Sequence, residues 1–443
     1  MNSNPYLLFI FIASIAVLLY GIIKLKINPF LVLPAVGLLT GLASGLPLDK
    51  VTKLLADGFG QTLGSIGIVV GLGIILGNLL AHAGATEQIA KLFLQKVGSK
   101  KAPLAIAITG YLVCIPVFLN AAFIVFMPLL RDLTRNTKIP LVKLVVALII
   151  AGFATHCLVI PTPGPLAVMG TLNLPVSSFL GWSLLIAIPP AIAGLFAANY
   201  WGKKDFMQIN EANQNSQTIT DSRPVPSGGL SLFVLLFPIL LILIGSLLAE
   251  FLPKENSLRS VMAFLGDKNV AMLLGVAVAA IALKPYCRKS FDELVNEGGA
   301  NAGLLILIVG AGGSFGAIIN GSGIANHLVT ILASMELSYL WLGFLLTAIL
   351  RAAQGSATVA AVTASSILAP MLASSSDNPV MVGLAICCGS MCFSFPNDSG
   401  FWVISKFSGL TVPQMLRAWT LTSTLSGFLG FACTLLLNWV LKI

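Results

Sequence analysis

The sequence predicts an all-α polytopic membrane protein, an inverted-topology repeat of five spans plus one re-entrant hairpin in each half, with discontinuous helices at the midplane. Three observations carry that expectation: the solvent the composition demands, the placement of the basic residues, and a likeness between the two halves of the chain. Of 443 residues, 57% are hydrophobic and only 9% charged, and the mean hydropathy is +0.96. Soluble domains carry roughly a quarter charged residues, so a soluble core does not absorb this chain. Its repeated apolar runs of about 20 residues match the hydrocarbon thickness of a bilayer, and lipid is the expected solvent. The formal charge of +9 does not point to nucleic acid, because the lysines and arginines sit in short loops between apolar runs.

Continuous spans are predicted near residues 7–23, 28–47, 61–82, 177–200, 230–252, 269–283, 301–321 and 415–439. The first run should persist as a span, since MNSNPYLLF lacks the basic region and cleavage site of a signal peptide. Residues 103–130 and 338–372 are apolar but interrupted, at Pro116 to Asn120 and at Arg351 to Thr358. Both read as re-entrant hairpins, because non-helical backbone survives at membrane depth only where it lines protein or a water-filled cavity. Residues 141–172 and 379–410 are each long enough for one span, and each is broken, at Pro161-Thr-Pro-Gly-Pro165 and at Pro396-Asn-Asp-Ser-Gly400. These read as discontinuous helices.

With the N-terminus outside, 18 of the 25 basic residues fall in inner loops, six fall outside, and Arg351 lies within a hairpin. That bias supports the arrangement. Polar, Pro-containing residues 202–229 read as a cytoplasmic linker between a first repeat, 1–201, and a second, 230–443. A shift of 239 positions lays VVGLGIILGNLLAHAGATEQIA over IVGAGGSFGAIINGSGIANHLV, with glycines coinciding at 71/310, 73/312, 77/316 and 84/323. Hairpin and broken helix then recur in the same order. An odd number of crossings per half turns the second half upside down.

Paired broken helices in inverted repeats predict a secondary transporter with its site at the repeat interface. The second arm of a broken helix starts with free N–H groups and a partial positive charge, which can hold an anion. Four such arms start beside capping residues: Asn120, Thr162, Ser356 with Thr358, and Asp398 or Ser399. Gly164, Gly355 and Gly400 permit close backbone approach. Gln354 and Asn397 lie in the same interruptions and complete the candidate substrate-binding set. Each residue alone reads equally well as ordinary turn capping, and only the recurrence favours ligand contact.

The segments CIPVFLNAAFIVFMPLL, THCLVIPTPGPLAV, GAGGSFGAIINGSGIA, RAAQGSATVAAVTASSILAP and PNDSGFWVISKFSGLTVPQMLRAWT, in this order, closely resemble the GntP-type gluconate permease family. The resemblance runs from about residue 30 onward. It implies proton symport of gluconate or a related sugar acid across a bacterial inner membrane, and kinship with transporters that move a substrate domain against a fixed scaffold. Family members often carry His where Thr162 stands and another near Phe395; this chain has neither. Glycerate, D-serine or another hydroxy acid therefore stays open as substrate.

Ionisable residues within the membrane are default functional candidates. Asp398 is the acidic residue set deepest in an apolar segment and is the candidate proton carrier, with His156 second. The alternative for His156 is helix packing. Arg351, expected at the hairpin apex, could pair the substrate carboxylate, pair Asp398, or extend toward water. His82 and His327 read as interfacial, and the cysteines as small buried hydrophobes without metal-ligand spacing. No cofactor is implied. The expected partners are a small organic acid, a coupling proton with sodium as an alternative, and the bilayer; a homodimer is left open. An intramembrane protease lacks a suitably placed base for its serine, so an enzyme is not expected. A channel is the nearer rival, disfavoured by the absence of a charged ring or filter repeat.

Overall fold

The computed structural model describes residues 5–25, 27–204, 207, 224–253, 256–324, 327, 338–372, 375, 377–395 and 398–441. Among them the regular structure is helical throughout. The first predicted spans appear as α1 (Pro5–Leu19), prolonged by a π-helical turn at Tyr20–Lys24, and α2 (Pro29–Ala43), whose Pro29 follows the capping side chain of Asn28. The long α3 (Leu48–His82) bends by 44° between Gly64 and Gly67. The amphipathic α4 (Ala85–Val97), a surface element without a hydropathy signal, leads into α5 (Ala102–Val113) and α6 (Leu119–Thr137), the arms of the first hairpin. Then come α7 (Leu141–Leu158) and α8 (Pro163–Thr171), the first broken helix, and α9 (Val176–Trp201).

The predicted linker lies largely outside the described residues. Beyond it follow α10 (Gly228–Phe251), a short α11 (Ser257–Gly266) and α12 (Lys268–Leu283). A reciprocal capping box between Ser290 and Glu293 opens α13 (Phe291–Gly321), ten residues before the predicted span. The second hairpin is α14 (Tyr339–Gln354) with α15 (Ala357–Leu372), and the second broken helix is α16 (Pro379–Ser390) with α17 (Ser399–Ser408). Last is α18, which starts at Val412–Met415, passes through a π-helical stretch at Leu416–Leu421, and continues as Thr422–Leu441. By length and composition, five helices of the described residues can cross a membrane, or six if the bent arms of α3 form one span. The remaining apolar helices are shorter, at 10–17 residues.

Three of the four interruptions are displaced from their predicted positions as follows. The first hairpin breaks at Cys114 to Phe118, so that Asn120 lies inside the first turn of α6 and Phe118 holds the cap position. In the second hairpin the polar run from Arg351 does not end the helix: α14 continues to Gln354 and stops at Gly355, whose φ of 75° few other residues adopt. Arg351 is therefore in a helical turn and not at the apex. The break between α7 and α8 closes at Pro163, because proline is tolerated at the first helical position.

Two bodies follow from the packing. One is built on α3 and α13, joined by α2 and α12. A Cβ on Gly58 would stand 2.5 Å from the Gly313 carbonyl oxygen, so the two helices cross backbone to backbone. In the other body, α7 lies between α5 and α9, and α16 lies against α14 and α18. Its hairpins are exchanged: α6 packs on α17, and α15 packs on α8. Each hairpin thus rests on the broken helix of the other half. The two bodies touch through glycines. Gly73 and Gly77 on α3 face the carbonyls of Pro161 and Pro116, and Gly312 and Gly316 on α13 face Val362 and Ser366 of α15.

Candidate functional site

The exchanged hairpins bring their tips together around a cavity of about 190 Å³. Its polar lining is Asn120, His156, Arg351, Ser356, Thr358 and Asp398, and its apolar walls include Phe118, Phe153 and Trp419. Three helix N-termini reach it, those of α6, α15 and α17. Each leaves N–H groups without intrahelical partners, and their dipoles add positive potential. Ser356 caps α15 by accepting from the Val359 N–H at 3.3 Å, and Asp398 caps α17 by accepting from Gly400 at 2.8 Å.

The fourth arm, α8, does not line the cavity. Thr162 is buried and donates its hydroxyl to the Val159 carbonyl, so it neither caps α8 nor faces a ligand. Gly164 sits behind Thr358, whose Cα would be 3.5 Å from a Cβ there. Both are support for the second hairpin tip rather than contacts of the cavity. Gly400 does line it, pressed so close that an added Cβ would be 3.0 Å from Asn120 Oδ1. Gly355 lines it as well. The side chains of Gln354 and Ser399, and all of Asn397, lie outside the described residues.

The charge in the site is an ion pair. Arg351 is 1% exposed and its Nη2 lies 2.5 Å from Asp398 Oδ2. The same Nη2 donates to Ser394 Oγ at 2.8 Å, and the Ser394 hydroxyl donates to Asp398 Oδ2. Trp419 Nε1 donates to Ser394 at 2.7 Å, and Arg351 Cζ stands 5.8 Å from the Phe153 ring centre. Asp398 is therefore held by several partners, where an isolated carboxyl among apolar neighbours was expected. Among the described residues, Arg351 Nε and Nη1 and His156 Nδ1 are buried without hydrogen-bond partners. Leaving donors unmade in a protein interior costs about 1–3 kcal/mol each, more when charged, so a set of them at one cavity marks a place prepared for an acceptor.

Ser394, Trp419, Phe118 and Phe153 escape a reading of the sequence. Ser394 stands four residues before Asp398 and could be found from that spacing; the aromatics carry no local signal. The π-helical stretch that contains Trp419 is itself of a kind often found at functional sites. Of the other histidines, His82 ends α3 and lies 3.5 Å from Glu297, and His327 is half-buried. All seven cysteines are free thiols, five of them buried.

A helical body with hairpins and broken helices around a polar cavity defines a multi-pass membrane permease. The match to the model of the GntP family permease covers residues 6–440, and the chain belongs to that family. It is 33% identical over 450 residues to the inner membrane permease YgbN of Escherichia coli (strain K12), covering 98% of each chain. To the high-affinity gluconate transporter of the same organism it is 32% identical, covering 97% of this chain and 98% of the other. To the gluconate permease of Zymomonas mobilis it is 33% identical, covering 98% of both. Among solved structures, the YdaH transporter of Alcanivorax borkumensis superposes with a TM-score of 0.65 at 17% identity, covering 90% of each chain. MtrF of Neisseria gonorrhoeae, from a class of antimetabolite efflux pumps, gives 0.64 at 15%, covering 94% of this chain and 96% of the other. The two superpositions speak to the fold. The family is made up of permeases, not enzymes.

Proposed function

We propose that this chain is a secondary active carrier that takes up gluconate or a related small hydroxy acid with a proton across the inner membrane. The observation that carries the reading is the Arg351 guanidinium, buried at a polar cavity with two nitrogens unpartnered and three helix N-termini around it. That combination suits a carboxylate. Asn120, Ser356, Thr358 and His156 supply donors and acceptors for hydroxyl groups. In this reading Asp398 carries the proton.

The two halves, 1–201 and 230–443, act as inverted repeats, and the body with the hairpins moves against α3 and α13. What supports this is an asymmetry at matched glycines. On α3, Gly77 meets the tip of its hairpin at Pro116, whereas on α13, Gly312 and Gly316 meet α15 six to ten residues beyond the tip at Ser356. At 1.5 Å per residue the offset is about 10–15 Å along the membrane normal. Correspondingly, Val362 and Ser366 on α15 are buried, while Ile124 and Pro128 on α6, as far from its cap Phe118 as those two are from Ser356, are exposed. With the N-terminus outside, the exposed arm faces the cytoplasm and the site is open inward.

The test is counterflow by the purified protein in proteoliposomes, across gluconate, glycerate, D-serine, lactate and fructuronate. Saturable exchange of one hydroxy acid is expected. Flux without exchange would mean a channel, and a strict sodium requirement would replace the proton.

A further inference from the structure

A planar guanidinium offers a carboxylate two edges at which paired N–H groups lie parallel. One edge joins Nε to Nη2 and the other joins Nη1 to Nη2, so both run through Nη2. In this protein Arg351 Nη2 donates to both Ser394 Oγ and Asp398 Oδ2. Nε and Nη1 have no partner among the described residues. The free nitrogens invite an anion, and a carboxylate that takes either edge by both oxygens competes with Asp398 for Nη2.

Resting on the carrier reading above, we infer that the substrate carboxylate takes Nη2 from Asp398, and that Asp398 leaves the pair carrying one proton. A proton on Asp398 balances the charges. The empty site holds Arg351 positive against Asp398 negative and is neutral. A bound monoanion alone would leave one uncompensated negative charge in a buried site, which is expensive. One proton from water, bonded to a carboxyl oxygen of Asp398, restores neutrality. On the far side the proton returns to water, the carboxylate recovers Nη2, and the substrate departs. Ser394 keeps its contact with Asp398 as a carboxyl group can both donate and accept. The other titratable groups packed around this site are His156 and Cys157 on α7 and Cys392 after α16. None of them is bonded to Arg351 or Asp398 among the described residues, so none is needed for the exchange.

The consequence is a fixed stoichiometry. One proton accompanies one monocarboxylate, and the moving body is neutral both empty and loaded. In proteoliposomes that show gluconate counterflow, a pH difference of one unit should sustain about tenfold accumulation of gluconate. A potassium–valinomycin potential of either sign should leave that ratio unchanged. Accumulation driven by the potential alone, or a ratio near a hundredfold, would overturn the inference while leaving the carrier reading intact. Absence of counterflow would instead remove the carrier reading. Asp398→Asn provides a second measurement. Its empty site carries the charge of Arg351 and its loaded site is neutral, so each cycle moves one anion without a proton. Gluconate uptake by this variant should become insensitive to the pH difference and be accelerated by an inside-positive potential, with a monodisperse gel-filtration profile as the control for folding. A folded variant that still accumulates gluconate on a pH difference would also overturn the inference.

Discussion

The two broken helices share a place in the fold and differ in chemistry. Between α7 and α8 the break runs from Val159 to Thr162, its hydroxyl is satisfied by the adjacent backbone, and no charged side chain is present. The break between α16 and α17 carries Ser394 and Asp398, joined to Arg351 of the hairpin beside it. One break is thus neutral and the other holds the charge. Because α15 rests on α8, the neutral break positions the hairpin that carries Arg351.

Removing the charge on one side tests this division most severely. Arg351→Ala leaves Asp398 buried with an uncompensated charge, and should lower stability by about 3–5 kcal/mol and abolish uptake. Adding Asp398→Ala should recover much of the melting temperature without recovering uptake. Recovery of both would show that the pair is structural. Arg351→Lys keeps the charge but loses the planar fork, and the half-saturating gluconate concentration in counterflow should rise about 10–100-fold.

A cross-link sharpens the comparison between α6 and α15. If the matched glycines serve both arms in turn, Gly73→Cys and Ile124→Cys, placed in a background without native cysteines, should form a disulfide that stops counterflow. No cross-link under any substrate or pH condition would break the proposed equivalence. Gly73 suits the experiment, since a Cβ there would meet nothing nearer than 3.6 Å.

The neutral break should be forgiving. Thr162→Val removes one hydrogen bond to backbone and should cost about 1 kcal/mol of stability, with half-saturation changed less than twofold. A large rise in half-saturation would return Thr162 to the substrate.

The smallest effect lies at the head of α13, ahead of the predicted span. Glu297 accepts a hydrogen bond from Lys289 at 2.7 Å, which together with His82 draws its carboxyl below the usual carboxylate range. The lowered value contributes stability at neutral pH, and that contribution fades as pH falls from the unfolded value, about 4.3, through the folded one. Solvent screening keeps it under about 1 kcal/mol. Glu297→Gln should therefore slightly lower the melting temperature at pH 7 and match the parent at pH 3.

The hairpins and broken helices were legible in the sequence because proline, glycine and polar residues are costly inside an apolar run unless the helix breaks there or a cavity receives them. Their boundaries were less so. Pro163 reads as a breaker, yet it begins a helix, and the polar run after Arg351 reads as a loop, yet only Gly355 ends α14. Asp398 and Arg351 were singled out as costly charges, and that reasoning put both in the cavity. Their mutual bond was one of three options, since it joins residues 47 positions apart. Trp419 and Phe153 were invisible because their role depends on packing between helices distant in sequence.

The exchange of hairpins between the halves has a consequence for assembly. Asn120 presses on Gly400, and Gly164 on Thr358, so neither half encloses the cavity by itself. During synthesis the first hairpin must wait, with its polar tip inside the membrane, until the second broken helix has been inserted. The cavity closes as one of the last acts of folding, across a separation of nearly three hundred residues. A ligand that binds there reports on completed docking of the two halves. Two fragments divided within 202–229 should recover ligand binding only when produced together.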